Sequence, residues 1–229
     1  MKIHIMTLFP GMFDNFFKES LIGKAVDKKI LDIDIVNIRD YSKKSSMSVD
    51  DYVYGGGSRM LMQVEPIVDC YRDIVKGRKV STYYLSPRGK LFNQDMAKEM
   101  AKDEEIVYIC GHYEGIDERA LTLTGASEIS IGDYVLTGGE LPCMIVVDTV
   151  ARFIKGVLSN DDSTKDESFT DGLLEYPQYT RPSEYEGLKV PEILLSGDHA
   201  KVEAWRKEKA LEITKKNRPD LYEKYINKN

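Results

Sequence analysis

Short apolar runs alternate with amphipathic stretches through the first 155 residues, and this alternation limits the possible folds more than any other feature. The runs are KIHIMTLF from Lys2, LDIDIVNI from Leu31, KVSTYYLS from Lys79 and EIVYIC from Glu105. Each is long enough for a strand and too short for a helix. KIHIMTLF and EIVYIC are apolar enough to read as strands covered on both sides. Helical patterns lie between them: MFDNFFKESLIGKAVDKK; PIVDCYRDIVKG, started by Pro66, where a missing N–H costs nothing; and NQDMAKEMAK, capped by Asn93. The order predicts an α/β fold, a mostly parallel sheet with helices on both faces. A polar loop, Arg39 to Arg59, interrupts it.

Composition narrows the class. At 42% hydrophobic and 31% charged residues, the 229-residue chain reads as a soluble globular protein. No run approaches the roughly 18 apolar residues of a membrane span, so no membrane partner is expected. The N-terminus has no signal-peptide pattern. Cys70, Cys110 and Cys143 are too scattered for a disulfide framework and read as reduced thiols in a cytoplasm. Charge is uneven along the chain. Ser159–Thr180 holds six acids and one lysine, whereas the segment from Arg181 onward holds eleven Lys/Arg against nine Asp/Glu. The domains expected are residues 1–158, an acidic linker over 159–180 and a small, basic, helical domain over 181–229. The basic tail suits either an anionic partner or a solvated helix face.

Three glycine-bearing loops follow predicted strand ends, where open α/β sheets bind ligands: LSPRG, GHYEGIDER and IGDYVLTGGELP. They read as a ligand site or as tight turns, and their shared position favours the ligand. Familiar cofactor signatures are missing: there is no GxGxxG, GxxxxGK[ST], HExxH or GxSxG. His112-Tyr113-Glu114 and Pro142-Cys143 imitate part of a zinc-deaminase signature, but Val146 stands where the second cysteine belongs. With three histidines in the chain, no metal site is expected.

Longer blocks are more specific. LFPGMF, DDYVYGGGSRMLM, YLSPRG, GHYEGIDER, IGDYVLTGGELP, ARFIKGVL and GLLEYPQYTRP run in order through nearly the whole chain. Together they resemble the bacterial tRNA (guanine-N1-)-methyltransferases, members of the SPOUT class. The resemblance implies a deep trefoil knot holding S-adenosylmethionine in a bent shape, and methylation of the guanosine immediately 3′ of the anticodon. It also implies a homodimer whose active sites lie at the subunit interface. By position it carries the cofactor role onto Tyr84, Leu85, Ser86 and Pro87, onto Gly111, Tyr113 and Glu114, and onto Ile131, Gly132, Asp133, Tyr134, Val135, Leu136, Gly138, Gly139 and Pro142. Gly139 is expected to leave room for adenine. Leu85, Ile131 and Leu136 read equally as core.

The chemistry makes its own demands. Guanine N1 carries a hydrogen at neutral pH, so methylation there needs a base for that proton and a donor for charge building on O6. The resemblance gives Arg152 the O6 role. It places the base at Glu167, where the family has aspartate, with Asp166 in reserve and Asp171 behind it. From the residues alone these acids read as a solvated linker, and Arg152 as a helix-end arginine. Gly55, Gly56 and Gly57 would let backbone lie against the target guanine.

In the tail, Asp198 can cap a long helix ended by Arg218-Pro219, with Arg206, Lys209 and Lys216 facing the phosphates of a tRNA anticodon arm. Trp205 suits a base stack less well than core. CMIVVDTVARFI is too apolar for one buried face and needs cover on several sides. Two other functions stay open, a SPOUT ribose 2′-O-methyltransferase and a non-enzymatic RNA-binding protein. The sequence does not decide whether Mg2+ takes part.

Overall fold

The computed structural model describes residues 1–158 and 167–228. The chain divides into two compact units, Met1–Ser159 and Asn160–Asn229.

The first unit holds a five-stranded sheet in the order β2-β1-β6-β5-β7. The strands are β1 (Lys2–Thr7), β2 (Asp32–Asn37), β5 (Ser81–Leu91), β6 (Glu105–Cys110) and β7 (Ser127–Ser130). Every pairing is parallel. A two-stranded antiparallel hairpin, β3 (Asp50–Tyr52) with β4 (Met60–Met62), stands apart, its first strand inside the expected polar loop and its second just beyond it.

Alternation along the strands divides the core. Ile3, Ile5, Leu85, Ile106, Tyr108 and Ile129 face one layer, with α1 (Ser20–Asp27), α3 (Gln94–Met100) and α5 (Glu140–Ala151). Met6, Tyr84, Val107 and Ile109 face the other, with α2 (Val64–Val75) and α4 (Glu118–Thr124). This is the doubly covered parallel sheet the apolar runs predict. Asn93 caps α3 as expected, accepting from Met96 N at 3.0 Å. Pro66 does not start α2, which begins at Val64 behind Gln63. The expected long helix from Met12 to Lys29 is also broken. A 3-10 turn, Pro10–Phe13, leads through turns into α1 at Ser20. Beside that break the backbone of Lys18 lies so close to Gly23 that no Cβ would fit there.

Strand β5 runs past β7 twice. Leu85 pairs with Ile129, residues 86–89 loop out, and Lys90 pairs with Ile129 again. The return depends on Gly89, where an added Cβ would drive into the backbone of Glu128 and Ile129. The looped-out segment is tied down by Arg88, which donates to Glu118 and Glu128 at 3.0 Å each.

The second unit comprises a short hairpin, β8 (Glu184–Tyr185) with β9 (Leu188–Lys189), then α6 (His199–Asn217) and α7 (Pro219–Lys228). Asp198 caps α6, accepting from Lys201 N at 3.2 Å. Lys207 and Lys215 lie over the rings of Tyr225 and Tyr222 and hold the two helices together. This unit takes in residues ahead of 181. Leu173 is buried, and Leu174 N donates to Thr214 Oγ1 at 2.8 Å, so this stretch packs on α6 instead of hanging as linker.

Gly89→Ala forces two backbones apart and is expected to lower unfolding stability by about 1–3 kcal/mol in urea titration, the cost of overpacking. Lys90→Ala, one residue on and exposed, should stay within about 0.5 kcal/mol of the parent. Equal effects from the two would mean that the crossing does not need a glycine.

Candidate active site

The looped-out middle of β5 and the loops after β6 and β7 surround a cleft of about 520 Å³. That is within the range of roughly 300–1,000 Å³ typical of small-molecule sites. Each wall follows from local sequence.

The first wall is the loop out of β5, Tyr84 to Arg88. The phenol of Tyr84 is pushed up to about 12, first by burial and then by Glu128, so it stays neutral. Its ring fills the space over Gly111 and Gly115, where a Cβ would strike the Tyr84 hydroxyl.

The second wall is the turn after β6. Tyr113 adopts φ +57° there, a left-handed conformation that side chains other than glycine rarely take. The turn is braced by the β3–β4 hairpin. Glu114 N donates to Met60 O at 3.2 Å, Met62 N to Gly115 O at 3.0 Å and Asp117 N to Met62 O at 3.0 Å. Asp117 then caps α4, accepting from Arg119 N at 2.9 Å, and pairs with the Arg119 side chain. Those hydrogen bonds from Arg119 outweigh burial and hold the Asp117 carboxyl below the usual carboxylate range.

The third wall, Ile131 to Gly139 without Asp133, together with Pro142, runs into the start of α5. Gly139 N donates to Gly111 O at 2.9 Å. A Cβ on Gly139 would lie 2.8 Å from Cys110 Cα and 2.9 Å from Gly111 N. Gly139 is therefore a glycine because α5 begins against the backbone of β6, a different reason from the adenine slot expected of it.

Of the sixteen residues expected to bind cofactor, fifteen line this cleft: Tyr84, Leu85, Ser86, Pro87, Gly111, Tyr113, Glu114, Ile131, Gly132, Tyr134, Val135, Leu136, Gly138, Gly139 and Pro142. Asp133 is absent from the wall. Arg88, His112, Glu118 and Thr137 line it too, unforeseen, although His112 stands within GHYEGIDER. Gly55, Gly56 and Gly57 form the exposed tip of the β3–β4 hairpin, all with φ near +100° (95°, 93° and 105°).

The expected catalytic residues are not in the cleft. Arg152 follows the last turn of α5, lining a smaller groove of about 210 Å³ with Glu19 and Asp148. The cleft meets the first turn of α5. At 1.5 Å per residue, the 12 residues of α5 separate the two ends by about 18 Å. Glu167 and Asp171 line a pocket of about 120 Å³ in the second unit, with Tyr176, Glu203 and Arg206. Asp166 lies outside the described residues. Arg206 is not turned outward for phosphate. Its guanidinium lies over Tyr176 and donates to Glu203 at 2.6 Å. Lys209 donates to Glu212 at 2.7 Å, whereas Lys216 is exposed. Trp205 is half-buried beside Tyr179.

The fold and cleft define an α/β protein with a cleft of small-ligand size walled by three loops at the carboxyl ends of a parallel sheet. Comparison with known proteins narrows this further. Residues 1–224 match the family described as tRNA (Guanine-1)-methyltransferase TrmD. A tRNA (guanine-N(1)-)-methyltransferase of Lachnospira eligens is 54% identical over 230 residues, covering 100% of this chain and 98% of the relative. One of Clostridioides difficile is 53% identical over 227 residues (98% of each chain), and one of Clostridium botulinum 55% over 225 (98% of this chain, 93% of the relative). The chain belongs to the tRNA (guanine-N1-)-methyltransferase family.

The Asp117 cap makes a pH-dependent contribution. A carboxyl held below its unfolded value of about 3.9 stabilises the fold above that pH, and the contribution disappears as pH falls through the folded value. Asp117→Ala should therefore cost about 1 kcal/mol at neutral pH, the usual loss of a cap, with the gap to the parent closing below about pH 4. A gap unchanged into strong acid would assign the loss to packing instead.

Proposed function

We propose that this chain transfers a methyl group from S-adenosylmethionine, held in the 520 Å³ cleft, to N1 of the guanosine immediately 3′ of the anticodon in tRNA. The observation that carries this reading is full-length membership of the family together with a cleft built from the loops that the resemblance assigns to the cofactor. The cleft suits that ligand. Leu85, Ile131, Leu136 and Pro142 give apolar walls for a purine, and the glycines leave backbone N–H and C=O groups within reach of its edge.

When bound, S-adenosylmethionine supplies an electrophilic methyl on a sulfonium. This chain's residues supply the rest. The Glu167 carboxyl takes the N1 proton as attack proceeds, and the Arg152 guanidinium carries charge gathering on O6. The Gly55–Gly57 tip lies against the base, and the exposed face of α6 that carries Lys216 meets phosphate.

The separation of about 18 Å along α5 supports completion of each site by a second copy of the chain, because Arg152 lies too far from its own cleft to touch a guanine there. Leu141 and Ile145, one turn apart on α5, are 51% and 46% exposed, an apolar strip suited to such a seam.

Labelled S-adenosylmethionine and a tRNA transcript should yield 1-methylguanosine at that nucleotide, and a transcript with adenosine there should take no label. Label in a ribose would favour the 2′-O-methyltransferase alternative, and no label in any tRNA would sink the reading. Glu167→Ala should bind cofactor and tRNA but lose about 10²–10⁴-fold in turnover. Mixing it with the cofactor-dead cleft variant Leu136→Arg should restore activity if sites are shared between subunits. A mixture that stays inactive despite subunit exchange would put each site within one chain. Lys216→Ala should lower the salt slope of tRNA binding by about one, at about one unit per lost phosphate contact, with cofactor affinity unchanged.

A further inference from the structure

Beside the cleft-lining His112 and Gly138 lies a buried carboxyl with no part in the chemistry above. Glu140, in the first turn of α5, is 2% exposed, and its Oε1 accepts from the Thr7 hydroxyl at 2.7 Å. Thr7 is itself fully buried and accepts from Phe9 N at 2.9 Å. Across the loop, His112 Nδ1 is buried without a hydrogen-bond partner. The ring is fixed edge-on against Phe9 and Tyr113, with centroids 4.8 Å away in each case. Its backbone is fixed too, through a bridge to Gly138 and a bond from His112 N to Met62 Sδ at 3.3 Å.

Gly138 lies between the two side chains. A Cβ there would fall inside 3.0 Å of Glu140 Oε2, 3.1 Å from His112 Nδ1 and 3.5 Å from Gly111 O. Nδ1 and Oε2 are thus separated by no more than the space a glycine leaves open. Glu140 Oε2, His112 Nδ1 and Gly111 O all face the open side of the Gly138 Cα, and a side chain there would push between them. A buried nitrogen left unpaired is costly, and the Glu140 carboxyl is the acceptor set beside it.

We infer that His112 and Glu140 are a positioning pair, joined across the Gly138 Cα with His112 Nδ1–H as donor, which fixes the Gly138-Gly139 wall for the cofactor. The pair ties the turn after β6 to the start of α5, and through Thr7 it reaches the end of β1. Gly138 has no positive φ to explain it, so the open space between the pair is the reason for glycine there. Neither residue touches the reacting atoms. Their effect falls on how well the wall is formed before the ligand arrives. This inference rests on the cleft being the S-adenosylmethionine site.

The test uses the full-length protein, S-adenosylhomocysteine in calorimetry and S-adenosylmethionine in kinetics. If the parent binds neither, the functional reading fails and the pair goes with it. If the parent binds, Asn and Gln at 112 separate the two ring nitrogens, because an Asn amide reaches where Nδ1 sits and a Gln amide where Nε2 sits. His112→Asn is expected to keep affinity within about threefold, whereas His112→Gln and His112→Phe should weaken it about tenfold or more, the effect of leaving a buried polar group unpaired. The KM for S-adenosylmethionine should rise with kcat nearly unchanged. Gly138→Ala should resemble His112→Phe, and the two together should be no worse than either alone. Equal affinities for the Asn, Gln and Phe variants would overturn the inference. So would additive losses in the double variant, or a fall in thermal midpoint with cofactor affinity intact.

Discussion

The N-terminal unit depends on one close approach, where the first residue before α5 meets the last residues of β6 with no side chain between them. Gly139 lies under 3 Å from Cys110 Cα, counted from where its Cβ would be, and its N–H is bonded to Gly111 O. This contact makes a helix begin where a strand ends, so that their loops form two walls of one cleft. It also fixes the direction of α5, which carries Arg152 away from the cleft. The covering of that helix follows. Cys143, Val146, Val147 and Val150 are fully buried against the sheet layer, while Leu141 and Ile145 remain outside.

The second unit is organised by different forces. Its long helix has few buried residues, Ala210 and Thr214, and it is held by a cap, by lysine–aromatic contacts with α7 and by hydrogen bonds to the segment before it. Exposed ion pairs such as Lys209–Glu212 contribute little stability. They do decide which cations stay available to a polyanion. That is why Lys216 and Arg206, alike in sequence, differ in the fold.

Strands were the most legible part of the chain, β1 and β6 above all, because a parallel strand buried on both faces is a nearly continuous apolar run. β7 escaped notice because it is four residues long and reads SEIS. It is specified by β5 flanking it twice, not by its own composition. The β3–β4 hairpin was hidden for a related reason. Its pairing strands are three residues each, and backbone bonds to the turn after β6 brace it, bonds that periodicity does not reveal. The cleft was legible through its glycine-rich loops and the family resemblance. His112 and Glu140 lay in plain view within those loops, but nothing local showed that they face each other across a glycine.

The sequence by itself determined the α/β class, the order of the main strands along the chain, the capped helices at Asn93 and Asp198 and the three loops that wall the cleft. These follow from period, propensity and turn chemistry, all of which act between near neighbours. Only the tertiary structure decided that Gly139 and Gly89 are glycines for backbone contact, that Arg206 turns inward to Tyr176 and Glu203, and that Arg152 and the cleft stand at opposite ends of one helix. Those outcomes depend on which distant segments share a space. Excluded volume and buried polar pairing act there between residues that the sequence holds far apart.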